Sequence, residues 1–328
     1  MRKLVSIQKV LDIKPIEGAD AIEVAKVLGW SVVVKKNEFK VGDMVVYAEI
    51  DSVFPDKPEF EFLRPRKFRI KTMKLRGQVS QGICFPLDIL PDGEYVEDQE
   101  VTDILEVVKF EPPIPKEQQG LVKGTFPGFL VKTDETRVQV LQRQLTESKG
   151  DVYVVTEKLD GTSTTFYLNN DEFGVCSRNM DLLETEGNLY WKMARKYDIE
   201  EKLRKLGRNI ALQGETIGEG VQSNKYKLQG HEFHVFNIFD IDKHGYVNLE
   251  EFNAIVKELG LNAVPVLDEN FIMHDDIDGL VEYAKGFSVL NKKTKREGVV
   301  IKLRDHETGE GHSFKSINPE FLLKYGDD

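Results

Sequence analysis

The segment YVVTEKLDGTST, residues 153–164, places Lys158 at the end of a β-branched run, two residues before Asp160 and three before Gly161, with hydroxyls at Thr162 and Ser163 close behind. A lysine acts as an amine nucleophile only after losing its proton, and a free side chain with a pKa of about 10.4 is almost wholly protonated at neutral pH. A carboxylate beside it makes that loss harder, unless a bound divalent cation masks the negative charge and favours the neutral amine. Acidic residues around a reactive lysine therefore imply a metal. A K-x-D-G string alone is a weak signal, because a lone lysine at a strand end is more often simply solvated.

The weight lies in the segments downstream of the lysine and in their order. After Lys158 come CSRN with Arg178, LQGETIGEGVQ with Glu215, FNIFDI with Phe239 and Asp240, REGVVIK with Glu297 and Lys302, and SFKSIN with Lys315. In this set the chain resembles the covalent nucleotidyltransferases, the superfamily of ATP-dependent DNA and RNA ligases and messenger RNA capping enzymes. Its six nucleotide-binding motifs stand in that same order. The chain looks most similar to the ATP-dependent RNA ligases that carry their OB domain at the N-terminus, the Naegleria-type family. KTDETRVQ, with Arg137, resembles the stretch just upstream of the lysine in those ligases. A β-rich basic module precedes Lys158, and only 13 residues follow Lys315, where DNA ligases and capping enzymes place a C-terminal OB domain.

The resemblance implies an α+β protein, with an N-terminal OB-fold barrel followed by an adenylyltransferase (ATP-grasp-like ligase) domain of antiparallel sheets with flanking helices. It also implies an ATP-dependent ligation in three steps, with ATP and Mn2+ or Mg2+ as cofactors and RNA bearing 3′-hydroxyl and 5′-phosphate ends, in a nicked duplex, as partner. Lys158 would carry AMP. Asp160 and Glu297 are suited to a hydrated divalent metal, and Glu215 would help hold metal or accept from a ribose hydroxyl. Lys302 and Lys315 would neutralise phosphate charge, while Arg137 and Arg178 would contact the nucleotide or the RNA ends. Gly161 belongs to the nucleotide-binding set, and Phe239 would stack on the adenine. One departure stands out: where two alternating lysines are common in the superfamily, Lys315 is flanked by Ser313 and Ile317. The alternatives are an ATP-dependent DNA ligase and a nucleic-acid-binding module with a dead catalytic domain, and the intact set from Lys158 to Lys315 argues against the second.

These residues need elements to position them. Residues 1–110 read as all-β, with about five short strands separated by turn signals such as Glu17-Gly18 and Pro91-Asp92-Gly93, which suits an OB-fold. Residues 111–128, EPPIPKEQQGLVKGTFPG, read as a linker. Residues 129–328 mix strand-like runs such as DVYVVTEKL, NIALQGETI and EFHVFNIFDI with helical periodicity in LYWKMARKYDIEEKLRKLG, LEEFNAIVKELG and DIDGLVEYAKGFS. Trp191 reads as a packing residue.

Composition bounds the rest. Of 328 residues, 40% are hydrophobic and 31% charged, as expected of a globular chain. No stretch approaches a membrane span and no apolar leader is present, so an intracellular monomer, in cytoplasm or nucleus, is expected. Cys84 and Cys176 are too few for a disulfide framework. The net charge of −11 divides into +5 over residues 1–80 and −16 over the remainder. The basic excess concentrates in RPRKFRIKTMKLR, where Arg64, Arg66, Lys67, Arg69, Lys71, Lys74 and Arg76 occur with no acid. As a strand it would show a cationic row suited to a phosphate backbone.

Two apparent metal motifs are set aside. DIDKHGYVNLEE, residues 240–251, matches a calcium loop at Asp240, Asp242, Gly245 and Glu251, yet follows a strand-like run and carries His244 at an oxygen-donor position. His231 and His234 lie three apart on a strand and point to opposite faces, against shared zinc ligation.

Overall fold

The computed structural model describes residues 3–111, 121–304 and 313–326. Half of the expected linker, residues 112–120, lies outside them. The first five-stranded sheet runs in the order Trp30–Lys35, Ile22–Val27, Val5–Pro15, Met44–Ala48 and Ile83–Phe85, with every pairing antiparallel. The far end curls back onto the first strand, where the Gln81 N–H donates to the Ser31 carbonyl and the Val33 N–H to Ser80 Oγ, both at 2.9 Å. The result is a nearly closed OB-fold barrel.

The basic segment does not form the expected strand. Pro58–Arg66 is a 3-10 helix, Lys67 and Phe68 take positive φ, and only Met73–Leu75 is extended, paired with Gln78–Ser80 in a separate hairpin. Pro65 removes a ladder donor, and the apolar residues are spent locally: Phe60, Leu63 and Ile70 are buried in the OB core with Phe68 packed against them.

The rest of the chain is two sheets facing each other. An eight-stranded sheet carries the antiparallel core Glu172–Cys176, Thr162–Asn169, Ile210–Gly218 and His231–Asp240, and a five-stranded sheet runs Thr136–Arg137, Ser313–Ile317, Gly298–Leu303, Val152–Lys158, Val266–Ile272. Two short pairings are parallel, Thr136–Arg137 with Ser313–Ile317 and Asn262–Ala263 with His231–Asp240. Helices Leu189–Lys196, Ile199–Leu206 and Leu249–Glu258 cover the outer face of the larger sheet, burying Phe166, Leu212, Phe233, Trp191 and Leu203 together. The first two come from one periodic stretch broken where Asp198 adopts φ 51°. Helix Ile277–Tyr283 covers the smaller sheet, against Tyr153, Val155, Val299, Ile301 and Phe314.

The alternation of side chains then decides what lines the cleft. With 153, 155, 299, 301 and 314 buried beneath the helix, residues 158, 298, 302 and 315 of the same strands must face the other way. Among the described residues no helix is long and apolar enough to cross a membrane.

Candidate active site

Lys158 is the last residue of its strand, opposite Gly298, and Thr162 begins a strand of the other sheet. Leu159-Asp160-Gly161 is thus the crossing between the two sheets. Close approach explains Gly161: a Cβ there would lie 2.5 Å from the Thr216 carbonyl oxygen and 2.9 Å from Glu215 Cγ. The crossing is fastened at both sides, with the Asp160 N–H donating to Tyr226 Oη at 2.7 Å and Thr162 Oγ1 sharing a 2.8 Å bond with Tyr190 Oη.

Three carboxylates surround the lysine. Lys158 Nζ pairs with Glu297 at 2.7 Å, Asp160 pairs with Lys225 at 2.6 Å, and Glu215 lies against the Gly161 backbone. Burial pulls the Lys158 pKa down, but Glu297, Glu215 and Asp160 outweigh it and hold the pKa above its ordinary value. Burial, with Glu297 and Asp160 adding repulsion against the attraction of Lys158, pushes Glu215 up to about 8. Asp160 is raised too, by burial and Glu297, despite Lys225. This is an excess of buried negative charge.

On the same sheet, Lys315 stands in register with Arg137 and faces the cleft with Lys158 and Lys302. Burial and the neighbouring charges of Arg137 and Lys158 lower Lys315 to about 7. Burial, opposed by Glu135, lowers Lys302 to about 8; its ammonium donates to the Phe236 carbonyl and to Asn237 Oδ1. Arg178 sits at the rim, donating to Asp134 at 2.5 Å, and Lys315 also acts on that carboxylate. Arg137 lies against the OB barrel, its guanidinium 5.8 Å from the Trp30 ring.

Two expectations are corrected. Phe239, 1% exposed, is sealed among Leu130, Tyr167, Cys176 and Ala211, where no adenine can reach it. A bulge causes the shift: Gln213 pairs with Asn237 but Gly214 with Val235, so Phe236 is the extra residue, and it and Asn237 both face the cleft. Phe236 lies by Leu159, Ile217 and Tyr226, with Lys302 Nζ 5.6 Å from its ring. Arg69 is likewise removed from the nucleic-acid set, since its side chain is 6% exposed, paired with Asp51 at 3.0 Å and stacked 3.5 Å over Phe110. Arg64 is tied up by Asp56 and Glu61. Arg66, Lys67, Lys71, Lys74 and Arg76 remain exposed.

Lys225, Tyr226, Phe236 and Asn237 were missed by sequence reasoning. A strict period of two cannot anticipate the bulge, and SNKYKL carries no spacing signal of its own. The set-aside motifs stay so: Asp240 and Glu251 both pair with Arg208, His234 pairs with Glu232, and both cysteines are buried and free.

A lysine among carboxylates, with further cations beside it on the same wall of a two-sheet cleft next to an OB barrel, is the architecture of a covalent nucleotidyltransferase. An OB-fold family model matches residues 4–87 and the RNA ligase family model residues 151–317. The fold is similar to Naegleria gruberi RNA ligase bound to pyrophosphate, at 41% identity over all of both chains with a TM-score of 0.92. It is equally similar to a lysine-to-methionine variant of that ligase with AMP and Mn, again 41% identical over both whole chains with a TM-score of 0.92. A glutamate-to-alanine variant with ATP and Mn matches at 41% over 99% of this chain and all of that one, with the same TM-score. No curated protein matches. The chain belongs to the RNA ligase family.

Proposed function

We propose that this RNA ligase uses ATP and a divalent metal to join 3′-hydroxyl and 5′-phosphate RNA ends at a nick in a duplex, through a covalent lysyl-AMP on Lys158. The observation that carries the reading is Lys158 itself, the one lysine at the sheet crossing, ringed by Glu297, Glu215 and Asp160. In the first step the neutral amine attacks the α-phosphorus of ATP, forming the P–N bond as the P–O bond to pyrophosphate breaks. In the second an oxygen of the RNA 5′-phosphate displaces Lys158 from the adenylate; in the third the 3′-hydroxyl attacks that 5′-phosphorus and AMP departs. Each is an in-line transfer that depends on positioning and charge neutralisation.

The donor set fits a hydrated cation. Buried carboxylates that raise one another's pKa gain from a cation placed beside them. Asp160 and Glu297 would hold it through water, with Glu215 beside them. When bound, the metal supplies positive charge that lowers the amine pKa and offsets charge on the α-phosphate. Lys302, Lys315 and Arg137 meet the phosphates, Arg178 the RNA ends, and Phe236 takes the adenine-stacking role that Phe239 cannot. Arg66, Lys67, Lys71, Lys74 and Arg76 of the OB unit dock the duplex, and the protein works as an intracellular monomer.

The test is sealing of a nicked duplex with the protein, ATP and Mn2+ or Mg2+, using all-RNA, all-DNA and mixed 3′ strands. Joining that requires ribonucleotides at the 3′-hydroxyl end supports the reading. Equal sealing of all-DNA nicks makes it a DNA ligase, and binding without any sealing makes it a dead module.

A further inference from the structure

The Asp160 carboxylate is held by a residue outside the nucleotide-binding set. Lys225, with its side chain only 9% exposed, reaches Asp160 Oδ2 at 2.6 Å and the Gln222 carbonyl at 3.1 Å. Its backbone is fixed independently, because the Lys225 carbonyl accepts from Thr294 Oγ1 at 2.7 Å and Asn291 Nδ2 at 3.3 Å, on the loop that leads into Glu297. Its ammonium lies 5.4 Å from the ring of Phe321 and 5.5 Å from that of Tyr325, both on helix Pro319–Tyr325. That helix belongs to the OB barrel as much as to the cleft, since Phe321 and Leu322 are buried in the same cluster as Val5, Ile7 and Phe85, and the family model for the ligase ends before it at residue 317.

A cation this enclosed needs its partners. Aromatic faces and a carboxylate together hold the ammonium in one place, because each contact fixes a different side of it. We propose that Lys225 is a positioning residue for self-adenylylation, orienting the Asp160 carboxylate beside the nucleophile, and that the Phe321–Tyr325 bracket makes its placement depend on the OB-packed helix. The proposal rests on the lysyl-AMP reading. The Lys225 ammonium is taken up by Asp160, the Gln222 carbonyl and the two rings and so acts through Asp160; its loss should slow the transfer and leave ATP binding intact.

The experiment compares wild type, Lys225→Met, Lys225→Arg and Tyr325→Leu for labelled adenylate formation at saturating ATP, for ATP affinity by equilibrium binding, and for thermal melting. Lys225→Met should slow transfer about thirtyfold with ATP affinity within about threefold; Lys225→Arg should recover to within about fivefold of wild type, and Tyr325→Leu should be slowed about fivefold. A rate for Lys225→Met within about twofold of wild type overturns the proposal, as does equal slowing of the arginine and methionine variants. Should Lys225→Met fail to fold, Tyr325→Leu decides: slowed transfer supports the bracket and a wild-type rate overturns it. Absence of label on wild type contradicts the lysyl-AMP reading instead.

Discussion

The buried carboxylates make the site a source of instability that chemistry can exploit. Glu215, raised to about 8, binds its proton more tightly folded than unfolded, where a glutamate titrates at about 4.5. The folded state therefore loses stability as pH climbs between those values. Glu215→Gln should leave melting nearly unchanged at pH 4.5, raise the melting temperature progressively up to pH 8, and reduce sealing; an equal gain at both ends of the range would contradict the assignment. The aromatic positions separate just as cleanly. Phe236→Leu should weaken ATP binding by about 1–2 kcal/mol, the worth of a stacked base, with little change in stability. Phe239→Leu should cost about 1–2 kcal/mol of stability and leave ATP affinity alone. Titration with ATP and melting of both variants checks the pair, and a reversed pattern would restore Phe239 to the site.

Elements explain which parts of this could be read from the sequence. Lys158, Glu215, Glu297 and Lys315 are picked out by the order of their motifs, and the fold brings the four to one cleft. Phe236 is not, because one bulge opposite Gln213 and Gly214 resets the alternation, and bulges leave no dependable local signature. The basic segment misleads for a different reason. Its apolar residues alternate with its cations as in a strand, but Pro65 and the demand of the OB core for Phe60, Leu63 and Ile70 fold it into a 3-10 turn. Charge run and binding surface are therefore not the same residues. Replacing Lys71, Lys74 and Arg76 with alanine should weaken RNA binding and flatten its salt dependence by about 2–3 log units per log unit of salt, leaving self-adenylylation intact. Arg69→Ala should instead lower stability by about 3 kcal/mol, because it removes the buried pairing with Asp51 and uncovers Phe110. Binding isotherms at several salt concentrations, with melting curves for Arg69→Ala, distinguish the two.

At the scale of the whole molecule, the OB barrel and the two-sheet unit share structure. Gly29 donates to the Gln139 carbonyl at 2.8 Å, and a Cβ at that glycine would lie 2.7 Å from the same atom; Lys26 pairs with Asp278; helix Pro319–Tyr325 is buried in the OB core. Unfolding should accordingly be a single transition, and Phe321→Ala should lower it by about 3 kcal/mol; two resolved calorimetric transitions would contradict that coupling. Charge is also distributed at this scale, with −16 beyond residue 80 repelling a polyanion at long range against +5 over residues 1–80. The most direct measurement is incubation of wild type and Lys158→Ala with ATP labelled at the α-phosphate and Mn2+, followed by denaturing electrophoresis. Label on wild type alone, discharged by pyrophosphate, is the predicted result. Label on both proteins, or on neither when both are folded and free of AMP, would contradict the account.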